Sequence, residues 1–358
     1  MRRILYLCDA ASVHTRRWAE YFRDQGVDVH VASFRPATIV GVHVHVLGAK
    51  RLGRLGYPLA IPALRALMRR LQPEVVHAQY VTSYGFLAAA AGMHPLVVTA
   101  WGTDVLISPK ESLVLRTLAR FAVRRADAVT TVAQHMNPAV AALGVPLDTV
   151  SAVPFGVDTV QFVPPTTPRT DRGPLRLICT RNFGPIYDVG TLIEALATLR
   201  QRGLELRVDM VGEGPLRTEL QARVAELALS ANVTFHGHVD HARLAGLLAQ
   251  ADLFVTPALS DGNNVSLNEA MACGAFPVAT DIPANAQWID HGVNGLLYPP
   301  GDQQRLADAV EQASREQGLR RKAAEINRRI VETRADWRVC VARMNEIYLR
   351  AIERAGHR

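Results

Sequence analysis

The feature that most constrains this chain is a rhythm that runs, stops and restarts. Over the first 163 residues, short Val-rich runs alternate with amphipathic stretches. "RILYLCD", "VDVHVASF", "VVHAQY", "LVVTAWG", "AVTTVA" and "VSAVPFG" read as strands, and "HTRRWAEYFRDQG" reads as a helix ended by Gly26. Residues 163–174, "VPPTTPRTDRGP", hold four prolines and few apolar side chains, and read as a linker. The alternation then resumes with "LRLICTR", "LRVDMVGEG", "VTFHGHV", "DLFVTPAL", "FPVAT" and "GLLYPPGD", with helical stretches between them. Strands alternating with helices demand parallel sheets covered on both faces. The expected fold class is therefore α/β, with two doubly wound units: 1–163, a linker at 164–173, and 174–339. Two units also suit the length of 358 residues.

Charge and composition narrow the function. The net charge is +7, and all of the excess lies early: 17 Lys+Arg face 10 Asp+Glu up to residue 165, and the remainder is balanced at 23 each. A basic first half suits an acidic substrate or an anionic membrane. With no aromatic-rich basic stripe or zinc finger, nucleic acid is not an expected partner. Cys8, Cys179, Cys273 and Cys340 are widely spaced, which fits a reducing cytoplasm. The apolar run after Arg2 and Arg3 ends at Asp9, too soon for a signal-peptide core. Residues 50–71, "KRLGRLGYPLAIPALRALMRRL", read either as an interfacial helix or as a core-facing helix with a basic edge.

In doubly wound sheets, ligands gather beyond the carboxyl ends of strands. There the second half places Arg181 in "TRNF", Gly212, Glu213 and Gly214 in "VGEGP", and the turn "SDGNNVS". Such turns let backbone N–H groups approach an anion, and an arginine can grip a diphosphate through two bonds. "GEGP" lacks the third glycine of a dinucleotide fingerprint, so NAD is not expected. "Ser266-x-x-Glu269" also fits a helix-capping box. "HGHVDH" (His236, His238, His241) is assigned structural or ligand-side roles, not a metal. His43 and His45 share one face of a strand, expected to be exposed.

The run "ADLFVTPALSDGNNVSLNEAMACGAFPVATD", with "VGEGPLRTEL", "VTFHGHV" and "GVNGLLYPPGD", resembles the nucleotide-sugar half of retaining GT-B glycosyltransferases of family 4. "VPFGVDTVQF" is similar to that family's domain junction, and "WGTD" and "VVHAQY" to its acceptor half. The resemblance implies two Rossmann-like domains facing a central cleft, with the last helix, about 340–358, returning to the first domain. It implies transfer of a sugar, with UDP favoured over GDP as carrier, and no cofactor. The acceptor would be a lipid-linked, saccharide or small-molecule hydroxyl, and contact with an anionic membrane is expected at the inner face. It assigns Arg181 to the diphosphate, Asp261 to the transferred sugar and Glu269 to the ribose. Gly262, Asn263, Asn264 and Val265 would reach sugar and phosphate, Gly212 and Glu213 would lie near the phosphates, and His238 and Val239 near the base. On the acceptor side it points to His14, Trp101, Gly102 and Asp104.

Four positions depart from the family pattern. Asp261 stands for a glutamate, Tyr187 for a lysine that would partner Arg181, and Trp101 and Gln79 for histidines. The chain holds no Asp-x-Asp, so a metal-independent enzyme is expected. An epimerase or hydrolase of the same fold, and a non-catalytic sugar- or nucleotide-binding protein, remain as alternatives.

Overall fold

The computed structural model describes residues 1–48, 59–166 and 173–356. It divides into two units. The first holds residues 1–155 and 341–358, and the second holds residues 156–340. Most of the linker expected at 164–173, and residues 50–58 of the basic apolar segment, lie outside the described residues.

The first unit carries a seven-stranded sheet. Its strands are β1 (Arg3–Leu7), β2 (Asp28–Ser33), β3 (His43–Val46), β4 (Val75–Gln79), β5 (Leu96–Ala100), β6 (Ala128–Thr131) and β7 (Val150–Ala152), in the spatial order β3-β2-β1-β4-β5-β6-β7. Every pairing is parallel. The central strands are buried along their whole length, as expected of strands covered on both faces. Helix Val13–Asp24 returns the chain from β1 to β2, burying Trp18, Ala19 and Phe22, and Gly26 turns it out at φ +79°.

Helix Ile61–Leu71 buries Leu64, Leu67 and Leu71 in this unit's core and leaves Arg69 and Arg70 exposed. Over the described part, the segment is thus a core-facing helix with a basic edge. His43 is exposed, but His45 is not: its Nε2 meets Nδ1 of His30 at 2.9 Å, and both rings stack on His30. The register explains this, because His30 pairs with His43 and Ala32 with His45 across β2 and β3.

The second unit has a six-stranded parallel sheet in the order β10-β9-β8-β11-β12-β13. The strands are β8 (Leu175–Thr180), β9 (Leu206–Val211), β10 (Val233–Gly237), β11 (Leu253–Thr256), β12 (Phe276–Thr280) and β13 (Leu296–Tyr298). Its boundary falls earlier than residue 163, because 156–162 fold onto the second unit. Val157 N–H donates to Ala335 O at 2.7 Å, and Trp337 N–H returns to Val157 O at 2.8 Å. Arg328 donates to the carbonyls of Thr159 and Phe162. Gly156 allows this contact: its φ is +82°, and a Cβ there would lie 2.9 Å from Trp337 Cα.

The last helix, Trp337–Gly356, starts in the second unit, and its residues from 341 onward belong to the first. All four cysteines are buried thiols. Among the described residues, no helix is long and apolar enough to cross a membrane.

Candidate active site

Each sheet reverses its winding once, between β1 and β4 in the first unit and between β8 and β11 in the second. The crevice beyond the carboxyl ends of such a strand pair is where doubly wound folds hold ligands.

In the second unit, Arg181 leaves the end of β8 and is 8% exposed. Its Nε donates to Thr256 Oγ1, at the end of β11, at 3.0 Å. Its Nη1 donates to Asp261 Oδ2, in the turn after β11, at 2.9 Å. The Tyr187 ring lies 5.6 Å from the guanidinium carbon, within cation–π range. Tyr187 therefore supports Arg181 through its ring, where the departure from lysine suggested a loss of support. Nη2 is buried and, among the described residues, has no hydrogen-bond partner. Thr180 Oγ1, both side-chain polar atoms of Asn263, and Asn268 Oδ1 are also buried and unpaired. Buried polar groups are nearly always satisfied, so such a group at a strand-end crevice marks where a polar ligand belongs.

The turn after β9 is fastened to this crevice. Gly212 has φ +148°, and a Cβ would come within 2.0 Å of Arg181 O, so only glycine fits. Phe183 N–H donates to Glu213 O at 2.9 Å, and Gly212 N–H to Gly237 O at 2.9 Å. The β8, β9 and β10 exits thus form one ledge. The Glu213 carboxylate does not face this ledge freely, because it is paired with Arg217 one turn along. His238 is exposed just past Gly237, and Val239 packs against the core. His236 is occupied by Asp209, 2.6 Å away, and by Arg243.

Helix Val265–Ala272 is capped by Asn264, whose Oδ1 accepts Leu267 N–H at 3.0 Å. The capping box expected at Ser266–Glu269 is not used, because the helix starts two residues before it would. Asn264 is fixed in turn: its Nδ2 donates to Asn285 Oδ1 at 2.9 Å, and Asn285 donates to Thr280 O at 3.0 Å. This buried network holds the turn 261–264 at the mouth of the site. Glu269, in the same helix, is 9% exposed.

In the first unit, Gln79 at the end of β4 accepts from Thr15 Oγ1 at 3.3 Å. His14 stacks on Phe155 with ring centroids 3.9 Å apart, and Trp101 packs its edge or face against both rings. His14 and Trp101 are thus brought together, with Phe155 as a third member that the sequence reading missed.

Asp104 needs correction as a carboxylate facing substrate. It is fully buried, with Oδ2 accepting Val81 N–H at 2.7 Å and Oδ1 accepting Gly102 N–H at 2.8 Å and Trp101 N–H at 3.0 Å. Burial raises its pKa, and the backbone amides offset only part of that rise. It clasps the β4 and β5 exits together and sets the backbone of Trp101 and Gly102.

Residues 3–133 match the family described as Glycosyl transferase 4-like, and residues 168–330 match Glycosyl transferases group 1. The chain belongs to the group 1 glycosyltransferases of family 4. It is 24% identical over 322 residues to glycogen synthase from Mycobacterium tuberculosis, covering 88% of this chain and 75% of that protein. It is 26% identical over 281 residues to N-acetyl-alpha-D-glucosaminyl L-malate synthase from Bacillus anthracis, covering 75% and 73%. The fold is similar to that of Anabaena Alr3699/HepE, solved in complex with UDP and glucose, with TM-score 0.80, 21% identity, and 97% and 99% of the two chains covered. A glycosyltransferase from Rickettsia africae has TM-score 0.82 at 15% identity, covering 98% of each chain. These neighbours share the GT-B fold of this glycosyltransferase.

Proposed function

We propose that this glycosyltransferase takes a sugar from a UDP-sugar and moves it to an acceptor hydroxyl with retention at the anomeric carbon. The observation that carries the donor assignment is Arg181: a buried guanidinium at the switch point, with Nη2 unpartnered. A diphosphate supplies the two oxygens that a planar guanidinium fork takes best. The Asn263 carboxamide, unpaired among the described residues, and the backbone amides of Gly262 to Asn264 then serve sugar and phosphate, while the Val265 amide is spent on Asn263 O at 3.0 Å. Glu269 accepts from the two ribose hydroxyls, and the β10 exit at His238 and Val239 faces the base. Charge develops on the leaving phosphate during transfer, and Arg181 offsets it without a metal. The leaving phosphate oxygen takes the proton of the attacking hydroxyl on the same face of the sugar.

The first unit, with Trp101, Gly102 and His14, takes the acceptor. Its excess of basic residues fits an acceptor displayed on an anionic membrane. UDP is preferred as carrier because of the UDP complex of the Anabaena neighbour. A mycobacterial relative named as GDP-mannose-dependent, 28% identical over 270 residues, makes GDP the comparison to run.

The test is a thermal-shift series with UDP-, GDP- and ADP-sugars, since a ligand that binds the native state raises its melting temperature. The stabilising donor is then assayed with an acceptor panel, with and without EDTA, and the product linkage is read by NMR. Transfer with inversion, or activity lost in EDTA, would overturn the corresponding part of the reading. Free sugar or an epimer formed equally without acceptor would favour a hydrolase or epimerase. Failure to float with anionic vesicles would remove the membrane assignment, and flotation insensitive to salt would remove the basic residues as its cause.

A further inference from the structure

Arg181 and Asp261 differ in how they are held. Arg181 is anchored from two sides, by Thr256 at 3.0 Å and by the Tyr187 ring. Asp261 sits in a partly buried turn after β11 and accepts from Nη1 at 2.9 Å. A buried guanidinium requires a counter-charge. Asp261 provides it, but takes only Nη1; among the described residues nothing pairs with Nη2. A diphosphate is the stronger claimant, because it brings more charge and can engage both Nη atoms at once.

We propose that Asp261 is an internal counter-ion, occupying the arginine until the donor's diphosphate displaces it. This rests on the reading above that Arg181 binds that diphosphate. Displacement releases the carboxylate at the moment the sugar arrives, so it becomes free to accept from a sugar hydroxyl. The two events are then linked. Phosphate capture frees the sugar-reading group, and a nucleotide without a sugar leaves that carboxylate expelled and uncompensated. Bare nucleotide is bound less tightly than Arg181 alone would allow, and coupling of this kind spans roughly 5- to 150-fold in affinity. The shorter acid matters here, because it brings one oxygen to the fork while leaving the second Nη as a landing point.

The experiment is calorimetric titration of UDP, GDP and inorganic pyrophosphate into the wild type, Asp261→Asn, Arg181→Ala and the double variant, each checked by its thermal melt. We expect Asp261→Asn to bind the preferred nucleotide about 10-fold tighter than wild type. Arg181→Ala should bind it more weakly, and the Asp261 change should bring no gain on that background. If Asp261→Asn binds equally or more weakly while Arg181→Ala still loses affinity, the counter-ion idea falls and the donor site stands. If Arg181→Ala binds like wild type, the diphosphate assignment falls with it. Binding of none of the three ligands to any form overturns both. Should Asp261→Asn fold poorly, Asp261→Ser is read by the same outcomes.

Discussion

The hydroxyl of Tyr348 stands 2.6 Å from Nδ1 of His77, with both side chains buried in the first unit. The contact belongs to a chain of polar groups crossing four strands. His77 Nε2 meets Thr99 Oγ1 at 2.6 Å, Thr99 meets Thr130 at 2.5 Å, and Tyr6 lies 3.3 Å from the Tyr348 hydroxyl. It ties the returning end of the last helix to the centre of the first sheet. Each link is a neutral hydrogen bond in an apolar interior, where removing one partner leaves another unsatisfied. Tyr348→Phe should lower stability by about 1–3 kcal/mol, measured by urea unfolding.

The same imidazole makes stability depend on pH. Burial pushes the pKa of His77 down to about 3, so the folded protein keeps it neutral. The unfolded chain protonates it near the ordinary value of about 6.5. Stability is therefore full above that value and falls as pH drops toward 3. Burial lowers His30 and His45 as well, in the same sense. Between about pH 7 and pH 5, His77 alone should account for a loss of about 2 kcal/mol. His77→Gln should be less stable at neutral pH and show a shallower decline, read by denaturant unfolding at the two pH values. An unchanged slope would remove His77 as the source.

Gly212→Ala should uncouple the donor ledge. The added Cβ meets Arg181 O at 2.0 Å, and that carbonyl belongs to backbone. The strand ends must separate, which shifts Arg181 and the bond from Phe183 to Glu213 O. We expect nucleotide affinity to fall at least 10-fold, since a displacement of about 1 Å is enough for large losses. Far-UV circular dichroism should stay native. Unaltered nucleotide binding by calorimetry would contradict the ledge.

The alternation of strands and helices was legible because burial on both faces leaves continuous Val-rich runs, and all the quoted runs are strands. The division between the units falls at 155/156, inside the segment likened to the family's domain junction, and not at the prolines where the boundary was expected. "VPFGVDTVQF" carries no turn signal as strong as the prolines after it, and only the contacts of Val157 and Arg328 show that it packs with the second unit. Arg181 and Asp261 were each visible at strand ends, but their bond was not, because it joins residues 80 apart in sequence. Asp104 misled for a similar reason. "WGTD" gives an acid after a strand, but not the amide of Val81, which arrives from the exit of another strand. The helix cap shifted from Ser266 to Asn264 because Asn285, distant in sequence, fixes the Asn264 side chain.

The corrected role of Asp104 separates structure from chemistry. An asparagine keeps one acceptor oxygen but turns an N–H₂ toward backbone N–H groups, which already line both oxygens. Asp104→Asn should therefore lose about 2–4 kcal/mol of stability, because a buried donor then faces a donor. Nucleotide binding in the second unit should be unaffected. A fully stable Asp104→Asn protein with transfer abolished would return Asp104 to the chemistry.

Tyr187 tests whether an aromatic face can stand where a lysine was expected. Its ring lies beside Arg181, a contact worth about 0.5–2 kcal/mol depending on desolvation. Tyr187→Ala removes it and opens space for the guanidinium to turn. We expect nucleotide affinity to drop about 2- to 30-fold, matching that energy, with Tyr187→Phe close to wild type because the ring face is kept. Tyr187→Lys would place a second cation beside the diphosphate in the way the family pattern does. It should restore affinity and make it more sensitive to salt, since a compact ammonium acts as a point charge. If Tyr187→Ala binds nucleotide like wild type, the ring does not support Arg181, and the arginine is held by Thr256 and Asp261 alone.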